Sequence, residues 1–256
     1  MTGRLKSGDA PPNLLLTPRL ANDAEKPSSN TVQLVKMEWT PMEINPEMLN
    51  KLMKCLGVGD CCRFVDVVGL ESEQLSAVPK PCLALMLLFP LTQQHESFRQ
   101  QQADKVAGDA GVYFLKQTAV NSCGTVALLH SVGNSKSKMT FASDSVLKKF
   151  LDETESMSPD DRAKHLESCK AICEAHNEVA AQGQCSVEDD KVNFHFIAFV
   201  NVNGELCEFD GRMDGPVKHG ATNDGSFITD AARMCRGFME REQGEVRFSS
   251  VALCHS

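Results

Sequence analysis

Val192-Asn193-Phe194-His195-Phe196-Ile197-Ala198-Phe199-Val200 is a run dominated by aromatic and branched residues, interrupted by one imidazole. Asn201-Val202-Asn203-Gly204 follows, and then Glu205-Leu206-Cys207-Glu208-Phe209-Asp210. The run reads as a strand, the Asn-Gly segment as a hairpin turn, and Glu205 to Phe209 as the returning strand. Two registers satisfy the pattern. A four-residue loop sets Val200 opposite Glu205 and His195 opposite Asp210. A two-residue loop, Asn203-Gly204, sets His195 opposite Arg212 and makes Asp210 its diagonal neighbour. In both registers His195 and Asp210 share a face, and diagonal pairs stand about 7–8 Å apart, within reach of long side chains.

Working outward, Ala231 to Glu240 reads as a helix and Glu245 to Leu253 alternates like a final strand. Upstream, Gln182 to Lys191 is polar and without periodicity. Ser158-Pro159-Asp160-Asp161 opens a helix with a serine cap, proline at the first position and acids in the first turn, and that helix is expected to run to about Ala180. Tyr113 to Gln117 reads as a strand or an extended segment. Cys82 to Phe89 is continuously apolar, as in an element buried on both faces. Phe64 to Val68 is a short strand, and Asn45-Pro46 caps and starts an amphipathic helix. Helices and strands mix without a regular βαβ repeat, so the fold class is α+β.

Composition narrows the function. Lys+Arg 26 against Asp+Glu 34 gives a net charge of -8, which argues against a nucleic-acid partner held by bulk positive charge. No stretch approaches the roughly 18 apolar residues of a membrane span. Eleven irregularly spaced cysteines do not make a disulfide scaffold in 256 residues, and a reducing, cytoplasmic setting suits them. Residues 1–36 hold Pro11, Pro12, Pro18 and Pro27 and no aromatic residue, and read as a disordered N-terminal extension. The globular composition begins at Met37, so residues 37–256 are expected to form one domain.

One cysteine stands apart. In Lys116-Gln117-Thr118-Ala119-Val120-Asn121-Ser122-Cys123-Gly124-Thr125, Cys123 precedes a breaker-free helical run, Val126 to Val132. A cysteine at a helix N-terminus meets free amides and the positive end of the dipole, which favour the nucleophilic thiolate. The ordinary reading is a small residue in a tight turn. Gln117 strengthens the catalytic one, because acyl transfer puts negative charge on an oxygen and donors must already point at it. The Cys123 amide and the Gln117 side chain are two such donors.

A thiol nucleophile needs a base. His130 lies seven residues along the same helix, about 10 Å of rise away, and reads as structural. His255 lies at the terminus, and His95, His165, His176 and His219 fall in segments read as surface helix or loop, where a solvated ring is the default. His195, inside an apolar strand, requires a polar partner. Asp210 supplies it, as the orienting arm of a nucleophile-base-orienter triad. Nothing in local sequence brings that hairpin to Cys123. His165, Cys169, Cys173 and His176 are spaced along one helix, whose single face cannot arrange four ligands tetrahedrally, so no metal and no cofactor are expected.

Five motifs, in order, give the chain a resemblance to the ubiquitin carboxyl-terminal hydrolase family of papain-like cysteine proteases. They are Pro41 to Leu49, Leu87-Leu88-Phe89-Pro90-Leu91-Thr92, Lys116 to Thr125, Asn193-Phe194-His195-Phe196, and Glu208-Phe209-Asp210-Gly211-Arg212-Met213. The first of these and the ending Phe248 to Cys254 look most like the short neuronal-type isozyme. The resemblance implies Cys123 as nucleophile, His195 as base and acid, Asp210 as orienter and Gln117 as oxyanion donor. It also implies a central, mostly antiparallel sheet flanked by helices with a knotted backbone. The stretch from about Ala181 to Lys191 would be the active-site crossover loop. Where the family usually has tryptophan this chain has Cys62, which leaves the catalytic roles intact and puts local packing in question.

The activity implied is thiol hydrolysis of small adducts from the C-terminal glycine of ubiquitin through an acyl-enzyme. A ubiquitin-binding protein with weak turnover, holding free ubiquitin, is the alternative. Ubiquitin is the expected partner and a ubiquitin-like modifier a second candidate.

Overall fold

The computed structural model describes residues 37–43, 45–106, 111–183, 193–242 and 244–256. The extension 1–36 and most of the acidic loop ahead of the His195 strand, 184–192, lie outside the described residues. Strands are β1 (Cys62–Asp66), β2 (Cys82–Pro90), β3 (Phe194–Val202), β4 (Glu205–Phe209), β5 (Val217–Ala221) and β6 (Ser249–His255). Helices are α1 (Pro46–Cys55), α2 (Ser72–Ser76), α3 (Gln93–Gln102), α4 (Cys123–Ser135), α5 (Val146–Thr154), α6 (Pro159–Ser168), α7 (Lys170–Ala180) and α8 (Phe227–Arg241).

The hairpin adopts the two-residue loop. Val202 pairs with Glu205 and Ala198 with Phe209. Asn203 and Gly204 take φ of 54° and 84°. Positive φ at both central positions matches the right-handed strand twist, and Asn-Gly tolerates it at least cost. The shorter loop therefore wins over the four-residue alternative.

Six strands form one sheet in the order β1-β6-β2-β3-β4-β5, every described neighbour antiparallel. The architecture is the α+β one expected. The last strand, β6, lies between β1 and β2. Because strand residues alternate faces, β3 feeds two cores. Phe196, Ala198 and Val200 pack with Leu128, Leu129 and Ile172 of α4 and α7, whereas Ile197 and Phe199 pack with Phe227, Ala231 and Phe238 of α8. Layers on both faces explain why β2 is apolar almost throughout.

Local signals set the helix starts. Asn45 accepts from the Met48 amide at 2.9 Å with Pro46 behind it, and Ser158 accepts from the Asp161 amide at 3.2 Å. The long helix expected from Pro159 to Ala180 is instead two. The chain breaks at Cys169, whose ψ is 84°. Ser168 Oγ donates to the His165 carbonyl at 2.9 Å, a local bond that competes with the helical ladder. Tyr113 to Gln117 is extended but joins no sheet. Its amides bond to the Asn134 side chain, the His130 ring, the Pro159 carbonyl and the Gly211 carbonyl.

Candidate active site

Cys123 is the first residue of α4, as its sequence context requires. A tight turn delivers it there. Asn121 takes a positive φ of 64° and its Nδ2 donates to the Trp39 carbonyl at 3.0 Å; Ser122 Oγ donates to the Ala119 carbonyl at 2.8 Å. The sulfur is partly exposed, and the amides of the first helical turn have no intrahelical acceptor.

The hairpin brings His195 and Asp210. His195 is 2% exposed and Asp210 2% exposed, so both lie behind the accessible sulfur. His195 Nε2 meets Asp210 Oδ1 at 2.7 Å. The Cys123 side chain lies near enough to the same ring to help raise its pKa. With Nε2 engaged, Nδ1 is the nitrogen left to face the sulfur. Phe89 sets its ring edge against the imidazole, centroids 5.8 Å apart at 86°. Burial pulls the His195 pKa down, but the charge and hydrogen bond of Asp210, with a further contribution from Cys123, outweigh it and raise it to about 9. Burial raises Asp210, and the charge of His195, its hydrogen bond, Arg99 and the Arg212 amide overcome that, holding the carboxyl well below the usual range.

Asp210 is itself held. Its Oδ1 accepts from the Arg212 amide at 2.9 Å, and the Arg99 Nε lies 2.9 Å from Oδ2 as an ion pair without hydrogen-bond alignment. The Arg99 guanidinium also pairs with buried Glu208, whose other oxygen meets His219 Nε2 at 2.7 Å. Arg99 Nε donates to His95 Nε2 at 3.2 Å, so that ring is a neutral acceptor. Burial first, then the Arg99 charge, pushes His95 down to about 3. His195 and Asp210 thus sit on a buried network with Arg99 and Glu208 in which acidic and basic groups alternate.

Gln117 is tied to the Asp210 loop. Its amide donates to the Gly211 carbonyl at 2.7 Å. A Cβ on Gly211 would stand 2.9 Å from Gln117 Cβ and 2.9 Å from Val126 Cγ1, so glycine is needed for this approach. Gln117 Nε2 has only a long bond to the Ala119 carbonyl, 3.4 Å, and its Oε1 is buried with no hydrogen-bond partner. The amide is weakly committed inside the protein and is available to an incoming oxygen.

All four expected site residues therefore converge, and other expectations need correction. His95 and His176, read as solvated, are 1% and 0% exposed. His95 packs on Phe89 and Phe238, and His176 bridges Thr125 Oγ1 at 2.8 Å and the Thr40 carbonyl at 2.7 Å. Their partners are distant in sequence, so periodicity could not reveal them. His165, Cys169, Cys173 and His176 do not gather: the break at Cys169 divides them, His165 meets Glu153 and Cys173 Sγ donates to the Glu38 carbonyl. Sequence reasoning missed Arg99 as a support. Two acids at alternate positions, Glu208 and Asp210, fall on one face of a buried strand end and call for a cation, but nothing in the polar run of α3 singles out Arg99.

Comparisons with known proteins bear on the family and the fold. The family model described as "Ubiquitin carboxyl-terminal hydrolase, family 1" matches residues 39–240. Ubiquitin carboxyl-terminal hydrolase isozyme L1 from Homo sapiens is 59% identical over 221 residues, which cover 85% of this chain and 99% of that protein. The isozyme L1 from Monodelphis domestica is 56% identical over the same span. Among solved structures, the UCH37 catalytic domain of Trichinella spiralis bound to ubiquitin vinyl methyl ester superposes with a TM-score of 0.70 at 22% identity, over 88% of this chain and 100% of that one, a likeness of fold. A buried histidine-aspartate pair, a cysteine at the first position of a helix, a six-stranded antiparallel sheet, and this identity over nearly a whole relative lead to one assignment: the chain belongs to family 1 of the ubiquitin carboxyl-terminal hydrolases.

Proposed function

We propose that this chain is a cysteine-type deubiquitinating hydrolase, with Cys123 as nucleophile, His195 as base and acid, Asp210 as orienter and Gln117 as oxyanion donor. The observation that carries the reading is the His195 ring held by Asp210 at 2.7 Å on one nitrogen, with Cys123 at the start of α4 near enough to influence its titration. The Cys123 sulfur attacks the carbonyl carbon of the terminal glycine of ubiquitin, and a C–S bond forms. The oxyanion is received by the Cys123 amide and the Gln117 Nε2. The imidazolium then protonates the leaving amine or thiol as its bond to carbon breaks. His195 next takes a proton from water, the hydroxide adds to the thioester, and the C–S bond breaks to free ubiquitin.

A diglycine-type terminus can thread a covered cleft where side chains would clash. Basic residues of the substrate tail would find Glu188, Asp189 and Asp190, which lie outside the described residues, as acidic neighbours. Small adducts are the proposed leaving groups, a ubiquitin-like modifier is a second candidate substrate, and the cytoplasm is the proposed compartment. No described helix is long and apolar enough to cross a membrane.

The second reading is a ubiquitin holder with weak turnover, in which the same residues are present but turn over slowly. One experiment addresses both. Cys123→Ser is expected to abolish hydrolysis of a fluorogenic ubiquitin amide while ubiquitin affinity persists, and an electrophilic ubiquitin probe is expected to label Cys123. Full hydrolysis by Cys123→Ser removes the assignment. Probe labelling with turnover too slow to follow, alongside tight binding, selects the holder.

A further inference from the structure

The far end of the sheet carries a second cluster of soft ligands. Cys82 and Phe89 are separated by seven steps of β2, about 23 Å at strand rise, and Phe89 pairs with His195, so this end is remote from the triad. Here Cys62 pairs with His255 across β1 and β6. Cys61, just ahead of β1, turns its sulfur to 3.7 Å from that of Cys62. The two sulfurs and a ring nitrogen of His255 all lie within 4.8 Å of one another.

We propose that Cys61, Cys62 and His255 form a zinc site, unrelated to the hydrolytic chemistry. Two thiolates about 2.3 Å from a tetrahedral ion stand about 3.8 Å apart, which is the spacing already present. The donor set has no carboxylate, so it suits a borderline-soft ion and excludes magnesium and calcium. The proposal departs from the expectation that the chain takes no metal; sequence spacing hid the grouping because His255 arrives from the opposite end of the chain.

The surroundings are arranged as an outer shell. Thr140 directs both its backbone amide and its hydroxyl at the Cys61 sulfur, each at 3.2 Å, as suits a thiolate. Gly59 makes room, since a Cβ there would lie 2.3 Å from Thr140 Oγ1. His255 Nδ1 lies 3.2 Å from a Ser256 backbone oxygen; in the tautomer in which Nδ1 donates to it, Nε2 is the ring nitrogen free to ligate. Ser256 is anchored in turn by its amide, which donates to the Cys61 carbonyl at 2.7 Å. A groove of about 570 Å³, lined by Gly59, Asp60, Cys62, Arg63 and Ser256 among others, reaches one side of the cluster at Cys62. The fourth position is left for water. Each thiol that ligates releases its proton to solvent.

The test uses the full-length reduced chain carrying Cys123→Ser, so that the active-site thiol cannot act as a ligand. Zn2+ is titrated against a chromophoric chelator, and Co2+ is titrated as a spectroscopic probe. One ion per chain is expected, with the thiolate charge-transfer and tetrahedral d–d absorption of cobalt. Adding Cys61→Ser or His255→Asn is expected to weaken zinc by more than the roughly 10–100-fold that loss of an outer-shell partner costs. In the Cys123-intact chain the same two substitutions are expected to leave ubiquitin cleavage and circular dichroism unchanged. Absence of binding, zinc uptake indifferent to both substitutions, octahedral cobalt spectra, or a Cys61–Cys62 disulfide in the reduced chain would each overturn the proposal.

Discussion

Asp210→Asn isolates what the buried carboxylate contributes. Asparagine keeps the shape and a carbonyl oxygen that can still accept from His195, but removes the charge. The imidazolium is held to about 9 against an ordinary 6.5, in spite of complete burial. At about 1.4 kcal/mol per tenfold, that gap corresponds to about 3 kcal/mol favouring the charged ring. Asp210 is the leading favourable cause, and with it gone burial and the Arg99 cation both act against the imidazolium. The ring should then titrate below 6.5 and be mostly neutral at pH 7. If the productive state is the thiolate–imidazolium pair, about 3 kcal/mol is a loss of about 10²-fold in kcat/KM. The assay is steady-state hydrolysis of a ubiquitin fluorophore amide, with His195 titration followed by NMR and ubiquitin affinity measured in parallel. Activity within about threefold of the parent, or a His195 ring still titrating near 9, would refute the reasoning.

Three further outcomes are expected. Gly211→Ala must push Gln117 or Val126 aside, since its Cβ would lie 2.9 Å from each; a fall of about tenfold in kcat with little change in KM is expected, and unchanged kcat would show that Gln117 does not depend on this packing. Arg99→Leu strands Glu208 and Asp210 without their shared cation and is expected to cost about 3–5 kcal/mol in urea unfolding; a cost below about 1 kcal/mol would mean that the histidines alone satisfy both acids. The raised His195 pKa stabilises the fold fully below 6.5 and is lost as pH climbs through about 9, so unfolding free energy should decline across that window by about 3 kcal/mol, and should not do so in Asp210→Asn.

Much of the fold was legible wherever local chemistry decides. The Asn45 and Ser158 caps, the apolar β2 and the Asn203-Gly204 turn each follow from a few adjacent residues, and each stands where expected. The hairpin register was narrowed to two and chosen by backbone sterics that the sequence pattern alone does not rank. The break at Cys169 was not legible, because a single serine hydroxyl competing for the His165 carbonyl leaves no change in periodicity. Within the site, Cys123 and the His195–Asp210 pair were readable as two separate halves. Their meeting depends on α4 packing across β3, and Arg99 arrives from α3 more than a hundred residues before Glu208. Contacts of that range have no signature in neighbouring residues, and the same holds for the burial of His95 and His176.

The position of β6 between β1 and β2 also bears on how the protein is made. Of the six strands, the one that joins these two is the last in chain order, so until it is made the sheet stays split at that seam. Loss of β6 would therefore remove an interior strand of the sheet and not a dispensable edge.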